Sequence, residues 1–224
     1  MGTGMMEIIS LAFKLMPDLV LESYLGVELY RSFCTASVFL FSRIPNRKKW
    51  YLRETGRLFF FISVYESVLH ILVLLISVVR FDVGFDRIGF FLFVYNILMR
   101  ILWIFVMAML MNLLGILFGG SNFGMGVVML QLVMTALLGL CELKPLVSHL
   151  IPIAMLILGW HHSILVLGIF SDQPGEWAAQ MLTTGRSFEE SGLGILFFAI
   201  VVELWGMRIV RRKEILSSDL ERDG

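Results

Sequence analysis

Six ionisable side chains lie inside runs that are otherwise apolar: Glu66, His70, Arg100, His161, His162 and Glu203. An unpaired charge in hydrocarbon costs about 3 kcal/mol on insertion scales, so such residues are expected to face one another, a water-filled path or a ligand. Glu66 and His70 stand four apart, on one face of a helix, with Ser63 and Tyr65 adding hydroxyls nearby. A carboxylate beside an imidazole is either a step in a proton relay or a structural pair that satisfies itself. Arg100 sits near the centre of its run, with Asn96 one turn before it and Trp103 one turn after. Its guanidinium does not deprotonate, so it needs an acid, and Glu66 or Glu203 are the natural partners; otherwise it snorkels toward the surface. Asn112 is a milder polar site, able to hydrogen-bond across a helix pair.

His161 and His162 are adjacent, so their side chains diverge by about 100° on a helix and cannot easily share a metal. His70 and one of these two stand at similar depth on separate runs, which permits axial ligation of a haem iron. Bulky Leu69, Ile71 and Leu72 crowd His70, whereas Gly159 leaves more room near His161. Hydrogen-bonded packing is the simpler use of all three histidines. Glu203 lies toward the end of its run beside Trp205, shallow enough to reach lipid headgroups. No H-E-x-x-H, C-x-x-C or G-x-S-x-G pattern is present, so no metal site, catalytic residue or cofactor other than haem is suggested. Cys34 and Cys141 read as inert buried thiols. The 18 basic and 18 acidic residues give no nucleic-acid footprint.

The elements that position these residues are membrane helices. The 224-residue chain is 58% hydrophobic and 16% charged, with mean hydropathy +0.85, against roughly 25% charged for a soluble domain. Apolar runs of about 20 residues recur, which predicts an all-α integral membrane protein. Residues 1–42 read as an amphipathic lead-in lying at the interface, broken near Pro17 and interrupted by Glu7, Lys14, Asp18, Glu22, Glu28 and Arg31. Residues 43–57 carry Arg43, Arg47, Lys48, Lys49, Arg53 and Arg57 and are placed in the cytoplasm by the positive-inside rule, with Trp50 and Tyr51 in the aromatic belt. Five spans are expected within 58–209, at about 58–79, 88–117, 125–141, 147–170 and 192–209, followed by a soluble tail at 210–224. The glycine-rich GGSNFG stretch at 119–124 reads as a tight connection. Gly115, Gly119, Gly126 and Gly139 could permit close helix contacts. Arg208, Arg211, Arg212 and Lys213 create a conflict: five spans put them opposite the 43–57 cluster, yet both groups are basic. A re-entrant third span is the other solution. The N-terminus lacks a basic signal-peptide start, and Met6 makes a poor myristoylation context.

Three short stretches resemble Yip1-domain membrane proteins: Arg43–Trp50, with an R-x-P-x-R-K-K-W-like order; Leu117–Phe123, LFGGSNF; and Trp160–Ile169, W-x-x-S-I-L-V-L-G-I. The chain departs from that pattern at Glu66, His70, Arg100 and His161-His162. The resemblance implies a five-span, noncatalytic membrane-organising protein and brings no catalytic residues. Two functions follow as expectations. One is a scaffold or accessory subunit of a larger membrane assembly, in contact with lipids and with other subunits or its own copies. The other is a proton-, solute- or electron-transfer subunit using Glu66, His70, Arg100 and His161. Either is an integral, multi-pass protein of an inner or plasma membrane.

Overall fold

In hydrocarbon a backbone must satisfy its own N–H and C=O groups, so long apolar runs become helices. The computed structural model describes residues 2–39, 47–81, 87–120, 122–141 and 188–212. They form α1 (Gly2–Phe39), α2 (Arg47–Phe81), α3 (Arg87–Phe118), α4 (Asn122–Cys141) and α5 (Phe188–Arg212). Three stretches among the described residues are long and apolar enough to cross a membrane: Arg47–Arg80, Phe93–Phe118 and Gly192–Arg212. The protein is therefore an all-α, integral, multi-pass membrane protein. The expected span at 147–170, with His161 and His162, and the tail beyond Arg212 lie outside the described residues.

The helices are organised around α3, which packs against each of the other four. Its apolar window is 61% buried, against 17% for α2 and 33% for α5. This follows from sequence, because α3 is apolar around most of its circumference, with Asn96, Arg100 and Asn112 as its polar breaks, and a helix of that kind suits the middle of a bundle. The residue pairs give the directions. Asp18 meets Arg100 and Tyr30 meets Gly115, so α1 runs parallel to α3. Phe59 stacks edge-on with Phe105 at 5.3 Å while His70 meets Phe93 at 6.1 Å, so α2 is antiparallel to α3. Met111 lies against Gly124, and Met107 shares a cluster with Val127 and Val128, which makes α4 antiparallel too. Gly192 approaches Met99 and Gly206 approaches Leu113, so α5 is parallel.

The structure corrects two expectations. First, α1 is one continuous helix packed into the bundle rather than broken segments on its surface. Its buried residues Asp18, Leu21, Glu22, Leu25, Leu29, Phe33 and Ala36 recur at three and four, forming the stripe that packs on α3. Met16, Val20 and Tyr24 are exposed on the opposite side. Pro17 is also exposed, so its ring lies away from the packed face of α1. Second, an odd number of crossings between residues 58 and 209 does not fit the geometry. Glu203 of α5 accepts hydrogen bonds from Tyr51 and Thr55 of α2, and Phe33 of α1 packs on Trp50 at 6.0 Å. The start of α2 and the end of α5 thus occupy the same end of the bundle. The described basic residues of both groups, Arg47, Lys48, Lys49, Arg53 and Arg57 on α2 and Arg208, Arg211 and Arg212 on α5, lie toward that end, which removes the conflict between them; the positive-inside rule expects such an end in the cytoplasm.

The α3–α4 connection is as tight as GGSNFG implies. Gly119 adopts φ 73°, and the N–H groups of Gly119 and Gly120 donate to the Gly115 carbonyl at 2.9 and 3.2 Å, closing α3 with a left-handed residue. Of the glycines expected at helix contacts, Gly115 lies under the Tyr30 ring, whereas Gly126 faces open space.

Two outcomes test this arrangement. Cysteines placed at exposed Lys48 and Arg211, in a background lacking Cys34 and Cys141, should react with an impermeant maleimide from the same side of sealed vesicles. Labelling from opposite sides contradicts the fold. A Cβ at Gly206 would overlap the Tyr51 hydroxyl and come within 3.0 Å of Leu113. Gly206→Ala should cost about 1–3 kcal/mol in a reversible unfolding titration, the usual penalty of overpacking.

Candidate functional site

Arg100 projects from the central helix into the space between α1 and α2. Its Nη2 donates to both carboxylate oxygens of Asp18 on α1. Its Nε lies 3.4 Å from Glu66 Oε2 on α2, an ion-pair distance without hydrogen-bond alignment. One guanidinium therefore links three helices. Glu66 is fully buried, and Asp18 is 6% exposed. Of the partners expected for Arg100, Glu66 is correct and Glu203 is not. The strongest partner, Asp18, belongs to the helix that the sequence places at the interface.

His70 follows one turn beyond Glu66, as the spacing predicts. Its Nδ1 is 2.8 Å from the Glu66 carbonyl oxygen and 3.4 Å from Glu66 Oε2. A carbonyl only accepts, so Nδ1 carries a hydrogen and Nε2 is the nitrogen left to take up or release a proton. The ring is buried and edge-on to Phe93. That packing offers no support for haem ligation, and the other histidines proposed for it lie outside the described residues.

The cluster extends to residues that sequence reasoning did not single out as a site. Glu22, one turn after Asp18 on α1, is fully buried and within electrostatic reach of Asp18, Arg100 and Glu66. Gln131 of α4 donates to its Oε1 at 3.4 Å, a long contact. Several buried oxygens here lack a hydrogen-bond partner among the described residues: Glu22 Oε2, both carboxylate oxygens of Glu66, Gln131 Oε1 and, on α3, Asn96 Oδ1. All are acceptors. The signal for Asp18 and Glu22 was present in their i, i+4 spacing on the same stripe as Leu25 and Leu29. It was masked by reading each acid as evidence of water.

The charge count limits what this cluster can be. Asp18, Glu22 and Glu66 present three carboxyl groups to one guanidinium, with His70 beside them. With every acid ionised and the histidine neutral, the described residues of this buried set would carry two uncompensated negative charges. Desolvating even one ion costs several kcal/mol, so such a set relieves its charge by binding protons or a cation. Among the described residues no group of acids, histidines and cysteines is arranged to hold a metal ion. Carboxyl protons meet the demand directly, because each also supplies a donor to a set rich in unmatched acceptors.

Two further polar contacts hold the helices. Asn112 is fully buried and bridges α3 to α1: its Nδ2 donates to the carbonyls of Leu25 (2.8 Å) and Ala108 (2.7 Å), and its Oδ1 accepts from Tyr30 N–H (2.9 Å). Glu203 accepts from Thr55 Oγ1 at 2.9 Å and Tyr51 Oη at 3.3 Å. It is an interhelical acceptor between α2 and α5, near the end of the bundle where α2 begins. A buried polar network thus mediates contacts among the helices.

A groove of about 130 Å³ separates α1 from α2 on the side of the cluster toward the start of α2. Glu28, Ser32, Glu54 and Arg57 make up its polar part, and Leu25, Leu58 and Phe61 line the rest. The next turn inward carries Glu22 on α1 and Ile62 and Glu66 on α2. No known family model, curated protein or solved structure matches this chain.

Stability should report the shared guanidinium. Arg100→Met, which leaves three buried carboxyls without a cation, should lower unfolding free energy by roughly 3–5 kcal/mol. A double-mutant cycle of Arg100→Met with Asp18→Asn should return a coupling of about 1–3 kcal/mol, and additive effects would place α1 away from α3.

Proposed function

We propose that this protein transfers protons within the membrane, alone or coupled to a solute, through the Asp18–Glu22–Glu66–His70 cluster around Arg100. The observation that carries the reading is the excess of buried carboxyl groups over cations among the described residues at one point in the bundle. Arg100 holds Asp18 ionised, and Glu22 and Glu66 are then the exchangeable proton carriers. His70 accepts or delivers a proton at Nε2 while Nδ1 remains tied to the Glu66 carbonyl. The groove between α1 and α2 provides the approach from the cytoplasmic end, with Leu25, Leu58 and Ile62 as the apolar restriction between water and acids. His161, the remaining residue of this reading, lies outside the described residues.

The same reading treats α1 and α4 as membrane-embedded, giving five helices that alternate in direction around α3. Acidic Asp18 and Glu22 exclude α1 from a simple hydropathy criterion, yet they face the interior while Met16, Val20 and Tyr24 face outward.

A noncatalytic scaffold or accessory subunit, of the kind implied by the Yip1-domain resemblance, is the second reading. It is favoured by the Asn112 and Glu203 contacts, which join helices without any excess of charge. The two separate cleanly in vesicles loaded with a pH-sensitive dye and given a potassium-diffusion potential. Proton transfer predicts flux that falls at least about tenfold in Glu66→Gln and Glu22→Gln, with folding retained. Flux unchanged by either substitution, or none in the parent protein, supports the scaffold instead.

A further inference from the structure

The cytoplasmic end of the bundle carries a feature separate from the acid cluster. Where α3 ends beside α5, a cleft of about 300 Å³ opens between Leu117, Trp205, Arg208, Ile209 and Arg212. Arg208 and Arg212 are four apart, so they share a face of α5. Both are exposed, and neither forms an ion pair or hydrogen bond among the described residues. The walls are apolar: Leu117, buried Ile209 and the Trp205 indole, which is 39% exposed. Trp205 precedes Arg208 by one turn, and α2 begins at this same end with Arg47, Lys48, Lys49 and Trp50. An aromatic belt followed outward by basic residues marks the depth of lipid headgroups.

We propose that this cleft binds an anionic phospholipid, with Arg208 and Arg212 on its phosphate and its glycerol and upper acyl carbons against Leu117, Ile209 and Trp205. Two guanidinium forks suit a phosphate, which they can engage bidentately. The apolar walls decide the source: a soluble phosphate gains nothing from them, whereas a lipid fills both halves of the cleft. Basic pockets between helices on the cytoplasmic side are suited to such headgroups. Lipid binding here is independent of proton transfer at the acid cluster.

Trp205 is a built-in reporter. The full chain is reconstituted in bilayers containing either brominated phosphatidylglycerol or brominated phosphatidylcholine, and its fluorescence quenching is compared with that of Trp205→Phe to isolate the Trp205 signal. The Trp205 signal should show preference for the anionic lipid, falling roughly 5-fold for each arginine lost in Arg208→Gln and Arg212→Gln. Arg211→Gln, outside the cleft, should retain the preference, and unchanged thermal unfolding of all three variants excludes a folding defect. Equal quenching by both lipids overturns the proposal, as does a preference indifferent to the two arginines. So does release of the lipid by millimolar inorganic phosphate, which would mark a soluble-anion site. A chain ending at Arg212 tests the protein's own acidic tail, with Glu214, Asp219, Glu221 and Asp223, as occupant. If lipid preference emerges only in that shortened chain, the tail fills the cleft and the proposal fails. Proton flux in Glu66→Gln is read independently, so failure here leaves the transfer reading untouched.

Discussion

A guanidinium held away from water sets the terms for the rest of this bundle. Arg100 cannot shed its charge, so folding must bring acids to it, and these come from the helices on either side. Asp18 fixes α1 to the central helix, and Glu66 orients α2 toward the same point. Desolvation makes this arrangement expensive and its disruption more so, because removing one partner leaves charge stranded in a medium that solvates it poorly. The register of α1 along α3 follows from this constraint and is repeated further along by Asn112, which binds the α1 backbone at Leu25 and Tyr30. Apolar packing alone would not select that register, since Leu, Ile and Met surfaces tolerate sliding and the surrounding lipid is equally apolar.

The same constraint leaves this cluster unlike the other polar contacts of the bundle. A single ion pair would be electrically complete, but Glu22 and Glu66 add carboxyl groups beyond what Arg100 neutralises. Glu203 provides a contrast within the same molecule: its two hydroxyl donors satisfy it as an acceptor between α2 and α5, at the basic end. Asn112 is neutral and uses both ends of its amide. These two are joints. The Arg100 cluster has joints as well, yet it also has buried oxygens whose needs change with each proton gained or lost.

Much of the architecture was legible from composition. Long apolar runs become helices because hydrocarbon offers the backbone no other partners, and the glycine pair after Phe118 makes a turn because Gly119 must take a positive φ. Glu66 and His70 were legible as neighbours, since four residues make one helical turn. The partners of Glu203 were not legible, because Tyr51 and Thr55, which supply its donors, stand roughly 150 positions earlier. Asp18 and Glu22 were misread because an acid in a hydrophobic stretch lowers apparent hydropathy whether it points to water or to an arginine.

Run length, charge type and spacing along one helix are local properties. They were enough to establish a helical membrane protein with basic clusters flanking its apolar runs, and an Arg100 that requires an acid. Which acid answers Arg100, whether α1 belongs within the bundle, and whether the basic start of α2 lies beside the basic end of α5 were settled by packing in three dimensions. These depend on pairs separated by 82 to 152 positions, and hydropathy contains no information about which distant charge will be buried against which. The deciding quantity is the desolvation energy of a charge, which only the assembled helices can offset.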